Sequence, residues 1–316
     1  MLANLHLHSR FSDGTLWPEE IALEAVRAGL EYVALTDHDT MAGVTRFANA
    51  CAARGIASVP ACELDVFEQE IDYKSELLAY FPHSNALGCA PRTQSLVAES
   101  LAKRKRRIEF FLTSARQAFS DKALNFEDLF QDKTGLPYDE GLASQISWSK
   151  VDLFLYLKAQ RCVPSGINYK SFKKHYLNGG VLKKFRLEKP QVRTVVDTVH
   201  ADGGYVVIPH IGHLWDDDPE RIHKDRDRLR HLLEWFRTRG VDGVELYWYN
   251  NEERSSAING LVQETAHSLG FFFTYGSDCH GPGSGKHTIA RFRGAFEGFP
   301  AALRSGAIEL RDREHR

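Results

Sequence analysis

The sequence predicts an α/β barrel of mostly parallel strands, interrupted by a mostly helical insertion. Three observations favour this fold class. Short apolar runs typical of strands alternate with stretches typical of helices, which is the order of a parallel sheet with helical crossovers. About seven strand candidates are present, enough for a barrel of this kind. Polar residues follow several of these runs directly, where such barrels carry their functional groups.

The first strand and helix are predicted near the N-terminus. Residues 4–8 alternate polar and apolar side chains, which is the period of a strand, so His6 and His8 project from one face. Pro18 and the two acids that follow it are typical of a first helical turn. Gly29 predicts the end of that helix.

Three further strands are predicted in the first part of the chain. Residues 32–35 are a short apolar run that leads directly into the polar residues 36–39. A helical stretch then leads to residues 56–63, another apolar run, which ends in an acid. Residues 77–81 form the next strand candidate.

The C-terminal third repeats the alternation. Strands are predicted at residues 205–208, 241–247 and 271–275, and helices at residues 225–240 and 252–270. Polar residues again lie at or just after strand ends, namely His210, Asp278 and His280.

The middle of the chain breaks this pattern, because residues 85–190 contain helical and basic stretches without alternating strand candidates. We therefore predict a barrel from residues 1–84 and 191–316 and an inserted helical subdomain over residues 85–190. The basic run at residues 103–107 has two interpretations. It is either a solvated helix face or a phosphate-attracting rim over the barrel mouth.

Composition and charge narrow the class of protein. Hydrophobic residues make up 43% and charged residues 26%, which is ordinary globular usage and argues against disorder. The 40 basic and 42 acidic residues give a net charge of -2, so bulk charge does not predict nucleic acid binding. Five cysteines without a C-x-x-C pair indicate reduced thiols. No run has the length of a signal core or a membrane span, so we expect a cytoplasmic protein.

The most informative residues are a set of histidines and acids. His6 and His8 on one strand face could share a cation, although this pair alone is a weak signal. Nitrogen and oxygen ligands without thiolate suit Zn, Mn or Fe in sites that keep positions open for water. The side chains that add such ligands at loops and strand ends are Asp13, His38, Glu63, His210, Asp278 and His280.

Taken together, these motifs resemble the polymerase and histidinol phosphatase (PHP) family. The closer resemblance is to its branch of small bacterial metal-dependent phosphoesterases that act on nucleotides. It covers about the first 80 and the last 110 residues. The resemblance implies a distorted (β/α)7 barrel with two or three divalent metals, Mn, Zn or Fe, at the carboxyl ends of the strands. The segments that carry the resemblance are residues 6–9, 12–14, 36–39, Glu63, His210 and residues 276–280.

The resemblance also implies how the ligands are grouped. The first metal would be held by His6, His8 and Asp278. Glu63 would bridge this metal to a second one, which His210 would also bind. The residues that match the family's third site are Asp13, His38 and His280.

Two positions depart from the family pattern. Relatives carry a histidine ligand of the second metal where this chain has Glu76, so Glu76 is a candidate ligand, unless it turns away to pair with Lys74 or solvent. Relatives also carry an Arg-Pro-His element that contacts phosphate. Its best match here is Trp148-Ser149-Lys150, which makes Lys150 a candidate substrate-binding residue.

These residues predict a metal-dependent phosphoesterase. Two cations that share a carboxylate can activate a bridging water for in-line attack on phosphorus, and no serine or cysteine nucleophile is needed. We expect Glu63 and Asp278 to take part in catalysis, and His213 to contact the leaving group or phosphate, or else to be a solvent-facing turn residue. The expected substrate is a phosphomonoester, or the terminal phosphodiester of a nucleotide-like molecule or short RNA. We expect neither a membrane nor an obligate protein partner.

Two other functions remain open from the sequence alone. An amidohydrolase-like barrel that hydrolyses a C–N or C–O bond also uses H-x-H and a late aspartate, although Glu63 here takes the place of the bridging carboxylated lysine that many such enzymes use. A non-catalytic, metal-stabilised binding module is the second alternative. The nearly complete ligand set argues against this second reading.

Overall fold

The computed structural model describes residues 1–83 and 90–300 of the chain. Within these residues a single sheet contains eight strands. In chain order they are β1 (Leu2–Leu7), β2 (Tyr32–Leu35), β3 (Ala57–Glu68), β4 (Tyr73–Tyr80), β5 (Tyr205–Ile208), β6 (Gly243–Tyr247), β7 (Phe272–Gly276) and β8 (Gly294–Ala295).

The sheet forms a nearly closed barrel, which confirms the predicted fold class. Its strand order is β7-β6-β5-β4-β3-β2-β1-β8. Strands β1 to β3 are parallel to one another, and so are β5 to β7. The segment after β7 returns to β1, where the His8 amide donates to the Cys279 carbonyl at 2.9 Å and the Cys279 amide donates to the His6 carbonyl at 3.3 Å.

The fourth strand differs from the expected pattern of parallel strands. β4 runs antiparallel to both β3 and β5. The reason is the short connection of residues 69–72 between β3 and β4, since a parallel pair needs a crossover of a dozen or more residues. The resulting hairpin brings Glu76 opposite Asp65, two residues beyond Glu63.

Eleven α-helices lie in the described residues, together with a π-helix at Lys173–Leu177 and a 3-10 helix at Ile211–Trp215. The α-helices are α1 (Pro18–Arg27), α2 (Val44–Ala52), α3 (Pro91–Ala118), α4 (Phe126–Thr134), α5 (Glu140–Gln145), α6 (Lys150–Ala159), α7 (Tyr169–Phe172), α8 (Val192–Ala201), α9 (Pro219–Lys224), α10 (Arg226–Thr238) and α11 (Glu252–Ser268).

The barrel helices begin and pack as their sequences predict. α1 begins at Pro18, whose missing N–H costs nothing there, and the Glu20 carboxylate accepts a hydrogen bond from the Trp17 amide at 2.7 Å. α10 buries one apolar stripe with helical spacing against the sheet. The residues of that stripe are Leu229, Leu232, Leu233 and Phe236.

Helices α3 to α7 and the π-helix occupy the chain between β4 and α8, in the segment for which a helical insertion is predicted. Aromatic and aliphatic side chains of these helices form an apolar core of their own. Phe11, from the loop between β1 and α1, is buried in that core. The predicted boundary at residues 84 and 85 and the C-terminal residues 301–316 lie outside the described residues, and the two-part division of the chain stays a prediction.

None of the helices in residues 1–83 and 90–300 combines the length and the apolar character that a bilayer span requires.

We predict that Phe11 stabilises the insertion as well as the barrel. Phe11→Ala removes a buried ring from the insertion core, so the free energy of unfolding should fall by about 3–5 kcal/mol. Leu155→Ala in α6 is the matched control, because Leu155 is 49% exposed and should change the free energy by only about 0.5 kcal/mol. Urea denaturation measures both values, and an equal loss in the two variants would contradict the shared core.

Candidate metal centre

The two histidines of β1 lie side by side inside the barrel. His6 and His8 point to the same face of the strand, as the alternation predicts, and both are buried. Their Nε2 atoms are 3.1 Å apart. Two inward-facing imidazole nitrogens this close together could bind the same metal ion.

Glu63 of β3 lies at the centre of the histidines. Its carboxylate is completely buried. Glu63 Oε2 is 3.4 Å from His6 Nε2 and also 3.4 Å from His8 Nε2. The same oxygen is 3.0 Å from His38 Nδ1, while Oε1 is 3.3 Å from His210 Nε2. The two oxygens of one carboxylate therefore face different groups of imidazoles.

Asp278 follows β7 and faces the β1 histidines. Asp278 Oδ1 is 3.0 Å from His8 Nε2 and 3.6 Å from His6 Nε2. On the far side of His8, Asp13 Oδ1 is 3.1 Å from His280 Nε2. His8 and His280 stack with their ring centroids 4.4 Å apart. The carboxylates thus alternate in space with the imidazoles.

Considered by distance alone, these side chains form four groups whose nitrogen and oxygen atoms lie within 4.8 Å of one another. All nine predicted ligands fall into at least one group, and the grouping by distance overlaps with the grouping that the family resemblance implies. The groups are His6, His8 and Glu63; Glu63, Glu76 and His210; His8, Asp13, His38 and His280; and His210, His213 and Asp278.

The chemistry of this donor set fits divalent metal ions. Three buried atoms, Asp13 Oδ1, His38 Nδ1 and Glu63 Oε2, have no hydrogen-bond partner. A buried polar atom without a partner costs about 1–3 kcal/mol. Each of these atoms nevertheless lies near other imidazole or carboxylate atoms, within the 4.8 Å that defines the groups above. Imidazole and carboxylate ligands in this arrangement suit Zn, Mn or Fe.

Glu245 of β6 orients two of the imidazole-bearing residues. Its Oε1 is 2.8 Å from His6 Nδ1, and its Oε2 accepts a hydrogen bond from the His210 amide at 2.8 Å. A metal-binding histidine commonly gives its other ring nitrogen to a carboxylate in this way. Gly276 makes room for that carboxylate, since a Cβ at this position would lie 1.9 Å from Glu245 Oε1.

The electrostatics of the site keep its central carboxylate ionised, whereas its imidazoles differ in protonation. Burial raises the pKa of the Glu63 carboxyl, but the His38 and His6 imidazoles outweigh it and hold the pKa well below its usual range. Burial and the neighbouring His280 lower the pKa of His8 to about 4. Burial lowers the pKa of His38, but the Glu63 and Asp13 carboxylates outweigh it and raise that pKa to about 9. Metal ligands must be ionised carboxylates and neutral imidazoles, so Glu63 and His8 are ready to bind, whereas His38 would release a proton on binding.

Glu76 lies beside Glu63 and His210, where a ligand of a second metal is predicted. The Ser75 hydroxyl donates to Glu76 Oε2 at 2.7 Å. Burial, and then the charge of Glu63, raise the pKa of the Glu76 carboxyl. Among the described ion pairs none joins Glu76 to Lys74, so the alternative in which these two residues pair is not what the structure shows.

His213 lies at the edge of the same centre, in the 3-10 helix after β5. Its ring stacks on His210 with centroids 4.6 Å apart. Its Nδ1 is 2.6 Å from Asp217 Oδ1. The ring nitrogen that does not make this contact is Nε2. The structure therefore places His213 next to a predicted ligand and also exposes it in a helical turn, so both interpretations of this residue stay predictions.

Lys286 is a residue at the site that the sequence analysis missed. Its ammonium contacts Asp278 Oδ2, the oxygen to which the Tyr247 hydroxyl donates at 3.3 Å. The preceding residues 281–285 contain three glycines with positive φ. This glycine-rich loop directly after the Asp278-Cys279-His280 segment is the signal that could have identified Lys286.

A cavity of about 1180 Å³ opens next to these side chains. Asp13, His38 and Glu76 line it on the barrel side. The opposite wall comes largely from the insertion and from the segment that returns to the barrel. The basic residues of the lining are Lys74, Arg104, Arg107, Lys150, Lys173, Lys184, Arg186 and Lys189.

Several of these cations have no acidic partner. Within the described ranges, no ion pair involves Arg107, Lys150, Lys173 or Lys74. Arg107 is buried, donates from Nη2 to the Trp148 carbonyl at 3.1 Å, and has an Nε without a partner. Burial, and then the charge of Arg107, lower the pKa of Lys150. Unpaired cations that line the same cavity create a field that attracts anions.

The basic run at residues 103–107 does not form one surface. Arg104 and Arg107 are buried, whereas Arg106 is exposed. The interpretation as a solvated face therefore applies to only part of the run, and Arg107 is the member that faces the cavity with a free donor.

Comparison with known proteins agrees with the family resemblance of the sequence. The PHP domain model matches residues 4–163. A 5'-3' exoribonuclease of Haemophilus influenzae is 26% identical over 243 residues, which cover 77% of this chain and 78% of that protein. A 3',5'-nucleoside bisphosphate phosphatase of Chromobacterium violaceum is 26% identical over 291 residues, 90% of each chain.

A solved structure from Bifidobacterium adolescentis, of a protein assigned as a metal-dependent phosphoesterase, has the same fold. It superposes with a TM-score of 0.65 at 23% identity, covering 90% of this chain and 89% of the other.

We predict that Glu76 binds the second metal. Loss of a residue that only supports a ligand costs about 10–100-fold in metal affinity, so Glu76→Ala should weaken the second Mn²⁺ binding event at least as much and leave the first nearly unchanged. Glu70→Ala, which changes an exposed glutamate of the β3–β4 connection, is the control. Calorimetric titration of chelator-treated protein measures both events. Equal titrations of Glu76→Ala and the control would show that Glu76 is not a ligand.

Proposed function

Because the chain belongs to the PHP domain family and is a metal-dependent hydrolase of phosphate esters, we propose that it hydrolyses a phosphomonoester or a terminal phosphodiester of a nucleotide-like molecule or short RNA. One observation carries this proposal. The carboxylate of Glu63 faces imidazoles on two sides, and the ligand groups around it border a cavity whose other wall is cationic.

The grouping of residues that would hold the metals is the one that the family resemblance implies, and the short distances from Asp278 to His8 and His6 are compatible with it. We assign His6, His8 and Asp278 to a first metal and His210 with Glu76 to a second, with Glu63 shared between them. The remaining group, Asp13, His38 and His280, would hold a third ion. Bound divalent cations would lower the pKa of a coordinated water and neutralise charge on the phosphoryl oxygens.

The chain's own side chains prepare the site for this chemistry. Glu63 and Asp278 stay ionised in the barrel, because neighbouring imidazoles and Lys286 hold their pKa values well below the usual range against the effect of burial. Glu245 fixes the ring of His6 through Nδ1, so that Nε2 faces Glu63. Orientation of this kind reduces the reorganisation that accompanies reaction.

His213 is proposed to contact the substrate at the edge of the site. Asp217 holds its Nδ1, and the ring packs edge-on against Tyr247 with centroids 5.3 Å apart. The imidazole therefore has a fixed orientation. We propose that its Nε2 contacts the phosphate or the leaving-group oxygen.

The cavity fits a nucleotide-like substrate. Small-molecule sites usually enclose about 300–1,000 Å³, so a cavity of about 1180 Å³ has room for more than one phosphate and a base. Lys150 and Arg107 supply charge-assisted donors for phosphate, and Tyr169 and Phe185 add aromatic surface to the same lining. The names of the relatives support such substrates, since one acts on RNA and the other on a nucleoside bisphosphate.

The other two functions are less well supported. An amidohydrolase-like reaction on a C–N or C–O bond does not explain a wall of unpaired cations. A non-catalytic binding module does not explain why every predicted ligand is present and lies near the others.

The direct test is a substrate screen with Glu63→Gln. The native chain, supplied with Mn²⁺, should hydrolyse nucleotide phosphate esters and not amides or lactones. Glu63→Gln removes the shared charge, so kcat should fall by more than about 100-fold, while circular dichroism shows a retained fold. Glu70→Gln is the control for a glutamate remote from the site. Near-normal turnover of Glu63→Gln, or hydrolysis of amides or lactones but of no phosphate ester, would contradict the proposal.

A second experiment tests the cationic wall. Charge-assisted hydrogen bonds contribute about 1.5–3 kcal/mol, so Arg107→Met and Lys150→Met should each raise KM for a nucleotide substrate about tenfold or more, with a smaller change in kcat. Arg106→Met and Lys170→Met alter exposed residues of the same types and should leave KM unchanged. Steady-state kinetics at fixed ionic strength decides, and unchanged KM in both Arg107→Met and Lys150→Met would make these charges irrelevant to binding.

A further inference from the structure

We infer that Arg104, a buried residue of the insertion helix α3, is a positioning residue for the metal-binding side chains His38 and Glu63. The insertion would then form part of the metal centre itself, in addition to lining the cavity. This inference rests on the proposed function, because it concerns the same metal-binding residues.

Arg104 joins two carboxylates of the barrel. Its Nε donates to Asp39 Oδ2 at 2.7 Å, and its Nη2 donates to Asp65 Oδ2 at 2.8 Å. Arg104 is 5% exposed, and both acids are buried. A planar guanidinium can bridge two carboxylates in fixed directions, which a lysine ammonium cannot do.

The two carboxylates lie next to predicted metal ligands. Asp39 follows His38 directly, and Asp65 is two residues from Glu63 on the same strand. Asp39 also ties its loop to β3, because its amide donates to the Glu63 carbonyl at 2.7 Å and its Oδ1 accepts from the Asp65 amide at 3.1 Å. The backbone segments that carry His38 and Glu63 are therefore held together next to Asp39 and Asp65, the two acids that Arg104 of the insertion contacts.

The backbone at Asp39 needs this support. Asp39 has a φ of 46°, in the left-handed region that non-glycine residues rarely adopt. Such a conformation persists only when the surrounding contacts hold it. Among the described residues, the hydrogen bonds to the Asp39 side chain come from Arg104 and from the Asp65 amide.

Charge balance points the same way. Without Arg104 the buried carboxylates of Asp39 and Asp65 would face each other, and Lys189, 3.1 Å from Asp65 Oδ1, would be the remaining described cation in contact with either. Two like charges in a buried site repel strongly. The loop that carries His38 would then move away from β3, and the distance of 3.0 Å between His38 Nδ1 and Glu63 Oε2 would not be kept.

A purely structural role would be different, because α3 is attached to the barrel elsewhere as well. Near the start of α3, the Thr93 amide and hydroxyl donate to Asp202 Oδ2 at 2.7 and 2.9 Å. This contact attaches the same helix to the end of α8 and touches none of the predicted metal ligands. Thr93→Val is therefore a matched control for loosening the insertion.

The experiment measures Mn²⁺ affinity by calorimetry on chelator-treated protein, without any activity assay, together with the thermal midpoint of the metal-free chain. Arg104→Lys keeps the positive charge but loses the planar guanidinium that donates to both carboxylates. We therefore expect about 10–100-fold weaker Mn²⁺ binding, the range for residues that support ligands. Thr93→Val should lower the thermal midpoint and keep the native Mn²⁺ affinity. Arg106→Met should change neither quantity.

Asp65→Ala keeps the inference testable if Arg104→Lys does not fold, because it removes the acceptor that fixes Nη2 of the Arg104 guanidinium and should also weaken Mn²⁺ binding. Native affinity in the folded Arg104 or Asp65 variant, or an equal loss of affinity in Thr93→Val, would overturn the inference. Failure of the native chain itself to bind Mn²⁺ would instead contradict the metal centre of the proposed function.

Discussion

The burial of the Glu63 carboxylate is the constraint on which the rest of the site depends. A completely buried charge is costly unless opposite charges or hydrogen-bond donors surround it. Imidazoles from three separate elements surround this one, with His6 on β1, His38 after β2 and His210 after β5. The barrel makes this possible because the strand ends converge, so residues far apart in sequence meet around one carboxylate.

The rest of the molecule divides its charge around this centre. Although the net charge is only -2, side chains of opposite charge are concentrated in different parts of the molecule. Carboxylates and imidazoles concentrate at the barrel strands, whereas unpaired cations concentrate on the insertion wall of the cavity. Metals bound on one side and cations on the other would contact both ends of the proposed phosphorylated substrate. Helix α3 connects the two sides, since Arg104 touches the barrel carboxylates and Arg107 faces the cavity one turn further on.

Much of the fold and of the ligand set could be predicted from the sequence. Most of the candidate ligands could be found because they lie on or just after an apolar run, and parallel strands bring such ends together. Asp13, in the loop between β1 and α1, was found through the family resemblance. The antiparallel direction of β4 could not be predicted, because a hairpin and a helical crossover differ only in the length of the connection, and the sequence does not define that length. Arg104 and Arg107 were indistinguishable from the exposed Arg106 beside them, because their partners lie far away in sequence. Lys286 was missed because its loop carries no periodic pattern. The barrel fold and the PHP family are confirmed, while the domain boundaries and the role of each site residue stay predictions.

The most direct measurement of the central claim is electron paramagnetic resonance of the chain loaded with two equivalents of Mn²⁺. Two ions that share Glu63 would lie about 3.5–4 Å apart, close enough to couple magnetically. We expect the spectrum of a coupled pair, and its replacement by the signals of isolated ions in Glu63→Gln. Isolated-ion signals alone from the native chain at this loading, or no bound Mn²⁺ at all, would contradict a metal pair built around Glu63.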